Sequence, residues 1–232
     1  IMPILQGFPF DFDPLRTLAR LASSADQFIG TGPRRQVYEA ALAELQPLLE
    51  PAIAYEVHPV CKRQEGGLAV AAGQVLHSRV VADLFGDAPE VVAMVYTLGP
   101  RVEARVAELQ AEGDYAVGYT LDVLGTLALT EVGHVACQEI DRLAAEKGVR
   151  ASIPLNPGTT HWPASDQPTV IDLAGGARVG VSVTESCLLR PFKTNSMVIA
   201  LGRDVLTPDR GSSCDYCENS ELCGQPRRSP QR

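Results

Sequence analysis

Three cysteines near the C-terminus form a C-x2-C-x5-C group in the segment Cys214-Asp-Tyr-Cys217-Glu-Asn-Ser-Glu-Leu-Cys223. Two thiolates three positions apart can grip one metal centre from a single turn, and a third closes over it from a short loop. A fourth ligand is then required. Cys187 is the best candidate because it lies in the connection ESCLLRP, among polar and basic residues, whereas Cys137 falls inside a long helical pattern and Cys61 in an early loop. Four thiolates suit a 4Fe-4S cluster and a structural zinc ion alike, and spacing alone does not separate the two. A thioredoxin-like redox pair is disfavoured, since this C-x2-C lies in a polar tail and not at a strand-to-helix junction.

Two further segments carry groups that make sites. The loop Leu155-Asn-Pro-Gly158-Thr159-Thr160-His161-Trp162-Pro163 presents an aromatic ring and an imidazole on a rigid Pro/Gly frame, as ligand-lining loops do. The plainer alternative is that Trp162 anchors the loop to the core and His161 is solvated. In Val183-Thr184-Glu185-Ser186-Cys187, hydrogen-bonding side chains follow an apolar strand, and strand ends face loops. There the plainer alternative is a surface ion pair of Glu185 with Arg190 or Lys193. Glu131 with His134 three positions on is either a catalytic pair or a satisfied buried polar pair.

These groups must be positioned by regular elements. Helices are predicted over residues 13–22, 33–49, 78–85, 101–112 and 114–147, the last with Val117, Leu121, Leu124, Ala128, Val132 and Val135 at helical spacing. Gly118, Gly125 and Gly133 cost that helix stability, so another backbone or a ligand is expected to approach it closely. Strands are predicted over 52–60, 67–70, 91–96, 177–183 and 196–202, with KRQEGG as the turn between the first two and a Pro/Gly-rich loop over 153–168. The chain has 232 residues, 45% hydrophobic and 21% charged, enough for one substantial core. One domain over residues 1–203 is expected, with residues 204–232 a cysteine-bearing tail packed on it. A net charge of −8 disfavours nucleic acid and anionic lipid surfaces. No apolar run reaches the roughly 20 residues that span a bilayer, and the first residues lack the basic start of a secretory signal. A reduced, cytoplasmic setting is therefore expected, and six cysteines in a chain with its own core point to metal before disulfides.

The segments NPGTTHWPASDQ and VGVSVTESCLLRPFKTNSMVIALG, with the terminal cysteines, resemble the activation (reactivation) domain of cobalamin-dependent methionine synthase in its stand-alone form. YTLGPRVEARVAEL and LDVLGTLALTEVGH are similar to that family's middle section, so the likeness runs from about residue 35 to 203. The resemblance implies an α+β fold, a twisted antiparallel sheet flanked by helices and bent around a corrinoid, with the cysteine-rich tail added. It implies that Thr159, Thr160, His161 and Trp162, together with Thr184 and Glu185, face cobalamin or an adenosyl ligand. The implied partner is a corrinoid protein or a cobalamin-dependent methyltransferase, which this chain reduces or reactivates. Such a role favours iron–sulfur over zinc at Cys187, Cys214, Cys217 and Cys223, because a cluster can pass an electron and zinc cannot. The alternatives are a zinc-stabilised docking module without redox activity and an S-adenosylmethionine-dependent cobalamin methyltransferase. Two departures bear on the adenosyl ligand: Pro154 stands where the family has an Arg that grips the carboxylate of S-adenosylmethionine, and Thr159 stands where it has a Tyr. Losing a charge-assisted, bidentate donor leaves weak binding or none as the expectation. Cys187 stands where methionine synthase has an apolar residue, as a cluster ligand would.

Overall fold

The computed structural model describes residues 4–6, 8, 10, 12–20 and 29–216. Its frame is an antiparallel sheet in the order β4-β3-β2-β5-β9-β6, with β1 also paired to β2. The strands are β1 (Ile4–Gln6), β2 (Ala52–Gln64), β3 (Gly67–Val70), β4 (Val75–Leu76), β5 (Glu90–Thr97), β6 (Arg150–Ala151) and β9 (Thr194–Gly202). A separate hairpin pairs β7 (Ser182–Val183) with β8 (Leu189–Arg190). β5 is bonded along its whole length on both edges, from Thr97 opposite Ala52 and Thr194 to Glu90 opposite Pro59 and Leu201. The runs AIAYEVHPV, EVVAMVYT and SMVIALG are apolar nearly throughout because both faces of this sheet are covered.

On one face lie α1 (Pro14–Arg20), α2 (Pro33–Leu45), α4 (Arg101–Glu112) and α5 (Tyr115–Glu146). They cover Ile53, Tyr55, Val92, Met94, Tyr96, Met197, Ile199 and Leu201, which alternate along β2, β5 and β9. The opposite face presents Ala52, Ala54, Val91, Ala93, Val95, Val198 and Ala200 to α3 (Arg79–Phe85), α6 (Gln167–Ala174) and the 153–181 segment. Its smaller side chains leave room for Phe85 and Trp162, both fully buried.

The caps set the helix limits. Asp114 accepts from the N–H of Val117 at 3.3 Å to start α5, and Gly113, at φ 88°, closes α4 in the left-handed conformation. Helix α2 stops at Leu45 instead of Leu49 and tightens into a 3-10 turn over Gln46–Leu48, because Pro47 has no N–H to continue the helix. β2 runs on to Gln64 through a bulge at Val60/Lys62, so the turn to β3 is only Glu65-Gly66. The largest correction falls at 167–183. Residues 167–174, partly assigned to the Pro/Gly loop, form α6, and the expected strand 177–183 is a 3-10 turn over Gly176–Val179 with only Ser182–Val183 extended. Gly175 and Gly180, both left-handed, bend the backbone there and break the alternation that ARVGVSV suggests.

Of the glycines in α5, Gly133 is the most closely approached: a Cβ there would lie 2.7 Å from the Tyr96 hydroxyl oxygen and 2.9 Å from its Cζ. Tyr96 is buried and its hydroxyl accepts from Asn195 Nδ2 at 2.8 Å, so the ring has little freedom to retreat. A Cβ at Gly118 would meet nothing closer than 3.4 Å. Gly133→Ala is therefore expected to destabilise the fold by roughly 1–3 kcal/mol through overpacking. Gly118→Ala, where only the helix propensity changes, should stabilise it by about 0.5–1 kcal/mol. Urea denaturation midpoints of the two variants would check the opposite signs.

Candidate functional site

The 155–163 loop is held at both ends. Leu155 bridges Val198 of β9 through two backbone hydrogen bonds of 2.8 and 3.0 Å. Asn156 Nδ2 donates to the Ser196 carbonyl at 2.7 Å and to Asn195 Oδ1 at 3.3 Å. The Gly158 N–H then reaches the Trp162 carbonyl at 2.8 Å, closing the tip on itself, with Gly158 in the left-handed region. Gln167 ties the loop to the sheet, donating to the Pro157 carbonyl and accepting from the Ser196 hydroxyl at 2.6 Å.

Trp162 is fully buried in the second core, and its indole N–H donates to Asp166 Oδ2 at 2.7 Å. The side chain anchors the loop, as the plainer reading has it, and an apolar ring with one N–H is stable inside once that N–H has a partner. Asp166, itself buried, also accepts from the backbone N–H of His77 and from His77 Nδ1, the latter at 2.9 Å. Next along the chain, Ser78 caps α3 by accepting from the Val81 N–H and donates its hydroxyl to the His161 carbonyl at 2.8 Å. One knot thus joins the loop, α3 and the start of α6.

His161 is half-buried. Its Nε2 lies 3.2 Å from Thr159 Oγ1, whose single proton goes to the Asn156 carbonyl at 2.8 Å. Nε2 therefore donates, and the lone pair sits on Nδ1, which is buried without a hydrogen-bond partner. Burial lowers the pKa of this imidazole. Thr159 and Thr160 are exposed.

Thr184 organises its own turn: its carbonyl accepts from the Cys187 N–H, its Oγ1 accepts from the Leu188 N–H at 3.0 Å, and Ser186 Oγ lies 3.0 Å from that oxygen. Glu185 is exposed at the tip. The ion pairs considered for it go elsewhere. Lys193 meets Asp122 at 2.8 Å, and the Arg190 guanidinium lies 3.5 Å over the Phe192 ring, with its Nη1 buried and unpartnered. Cys187, half-buried, takes φ 61°, a conformation uncommon outside glycine and asparagine. Glu131 is the satisfied buried acid of the plainer reading, with Thr17 Oγ1 at 3.4 Å and Arg16 at 3.5 Å.

The cysteines divide by environment. Burial pushes the Cys137 thiol up to about 11, with Asp141 adding to the shift, so it holds its proton against a metal. Cys61 is exposed beside the β2 bulge. Cys214 lies within a 3-10 turn over Ser213–Tyr216, while Cys217 and Cys223 lie outside the described residues. Among the described residues, no group of three or more His, Cys, Asp or Glu side chains is placed to hold a metal. Among them, too, no helix is long and apolar enough to cross a membrane.

Comparison with known proteins adds the fold class. No family model matches the sequence, and no curated protein matches it. Among solved structures, the crystal structure of the MetH reactivation domain bound to AdoHcy matches with a TM-score of 0.62, covering 88% of this chain and 79% of that one at 14% identity. The chain therefore has the α+β fold of a methionine synthase reactivation domain, as its motifs led one to expect.

Sequence reasoning missed His77 and Asp166. They are 89 positions apart, so no local spacing connects them; the one available signal was Ser78 at the start of an apolar helical run. For His161 the sign of the pH effect follows from burial. The folded chain binds this proton more weakly than the unfolded chain, so the stability is fully present above the ordinary value of 6.5 and is lost as pH falls below it. The imidazole of His161 is expected to titrate below 6.5 by NMR, and His161→Gln should flatten the fall in stability on acidification.

Proposed function

We propose that this chain reactivates a corrinoid-dependent methyltransferase or corrinoid protein, delivering an electron through a 4Fe-4S cluster on its C-terminal cysteines. The observation that carries the reading is the reactivation-domain fold over 88% of the chain. The T-E-S motif and the N-P-G loop, which sequence likeness assigns to ligand-facing roles, support it. In this reading Thr159, Thr160, His161, Thr184 and Glu185 form the side turned to the corrinoid, whereas Trp162 acts from beneath by fixing the loop. Residues 1–203 supply the docking body, and residues 204–232 carry the cluster.

Cys214, Cys217 and Cys223 supply three thiolates, and Cys187 is the proposed fourth. Its support is the left-handed backbone at 187: a residue other than Gly there costs about 1–2 kcal/mol, a cost that a ligand role would explain. Cys61 is the second candidate. The neighbouring Val60 N–H bonds to the Pro89 carbonyl, and Pro89 lines the same cleft as Tyr216, where the described part of the tail ends.

Anaerobically purified protein is expected to be brown, with absorbance near 400 nm and about four irons per chain. Cys217→Ser should bleach it. Parallel Cys187→Ser and Cys61→Ser variants assign the fourth ligand by which of them loses cluster iron, and a colourless protein with one zinc per chain would defeat the redox reading. S-adenosylmethionine is expected to bind weakly or not at all because Pro154 offers no guanidinium to its carboxylate. Low-micromolar binding by calorimetry would overturn that.

A further inference from the structure

The outer face of the α4–α5 pair carries side chains that neither the tail cysteines nor the loop motifs use. Asp122 of α5 walls an open cleft of about 730 Å³ together with Ala104, Ala107 and Gln110 of α4 and with Phe192 and Lys193. Tyr115 and Tyr119 stand seven and three positions before Asp122, on the same side of the helix. Both rings are left in water, Tyr115 at 68% and Tyr119 at 72% exposed, and Phe192 stands at 57%. The face runs on through Thr126 and Thr130, whose hydroxyls donate to the carbonyls of Asp122 and Thr126, each at 3.1 Å, and so spend their polarity on their own helix. Its charges are matched as well. Lys193 crosses α5 at Gly125, where a Cβ would lie 3.3 Å from the lysine Cε, and its ammonium meets Asp122 at 2.8 Å. Glu103, on the α4 side of the cleft, accepts from the Phe192 N–H.

We infer that this face is a two-fold interface between two copies of the chain, with Tyr119 of each copy seated in the cleft of the other against Ala104 and Ala107. A two-fold axis lays one patch against itself, so a protrusion needs a matching recess on the same face. Here the rings and the cleft are neighbours. A tyrosine suits such a seat, because its ring is apolar and its hydroxyl can bond at the rim, where Gln110 stands. Charge points to the same occupant. A chain of net charge −8 repels its own copies, and a face whose carboxylates already have partners is where that repulsion is weakest. The area is sufficient too. With about 150–250 Å² per covered aromatic side chain, the exposed parts of the three rings give roughly 600–1,000 Å² over two copies, and the cleft walls carry the total past the ~1,200 Å² of a small specific interface. None of this depends on the corrinoid reading.

The test is the mass of the full chain in solution, measured by sedimentation equilibrium at tens of micromolar. The wild type is expected to have the mass of two chains. Tyr119→Glu puts a carboxylate on the protrusion and Ala107→Glu puts one in the recess. Both positions are exposed, so each variant should keep the circular dichroism and melting temperature of the wild type while its self-association weakens by about 100-fold or more. A wild-type chain that stays single overturns the proposal. So does a dimer that survives both substitutions, which would put the contact on another face. A single chain that binds a corrinoid protein, with both variants defective in that binding, would also overturn it and would assign the face to that partner.

Discussion

Strand β5 has neighbours on both edges and cover on both faces, so every one of its eight residues is either in a ladder or in a core. An unpaired backbone group there would have no water to turn to. Most of the chain is arranged to meet that demand. The two faces meet it differently. Tyr96, Met94 and Met197 face the long helix, whose glycine at 133 admits the Tyr96 ring, while Ala93, Ala54 and Ala200 face the other way and let Trp162 and Phe85 come close. Bulk on one face is matched by small residues on the helix. Smallness on the other is matched by a tryptophan from a loop.

This division explains what the sequence could reveal. Helix α5 and the strands of the central ladder follow from apolar patterns long enough to outweigh local detail, and their limits follow from Asp114, Gly113 and Gly148. The segment 153–183 follows from neither. Its order comes from Asn156, Gln167 and Asp166, which bond to Ser196, Asn195 and His77 far away in the chain. Polar side chains that look like loop residues by composition are here the buried fastenings of a well-packed face. Trp162 is ambiguous in the sequence for the same reason: a lone tryptophan beside Pro and Gly is equally at home in a binding face and in an anchor, and only its burial and the partner of its N–H decide.

Asp166 is where fold and site become one question. A buried carboxylate costs several kcal/mol in lost hydration unless donors replace the water. Its donors come from the loop, through Trp162, and from the residue before the Ser78 cap of α3, so the loop cannot shift without leaving the carboxylate short of a partner. The same group that makes the core intolerant of change also fixes the direction of an exposed imidazole. Stability and chemistry here share atoms, which is the usual way in which a surface histidine acquires a defined orientation.

Helix α3 then relates the two ends of the proposed chemistry. Its seven residues rise about 10 Å. His77 and the loop stand at its N-terminal end, where Ser78 meets His161. At its C-terminal end Gly86 approaches Arg63, two residues from Cys61, and Asp87 and Pro89 line a cleft with Tyr216. A cluster drawing a thiolate from Cys61 would therefore stand roughly one short helix from His77, whereas a thiolate from Cys187 would place it beside Thr184 and Glu185. The choice of fourth cysteine is thus also a choice of which part of the surface the tail would reach: the C-terminal end of α3, or the hairpin tip that the family likeness singled out.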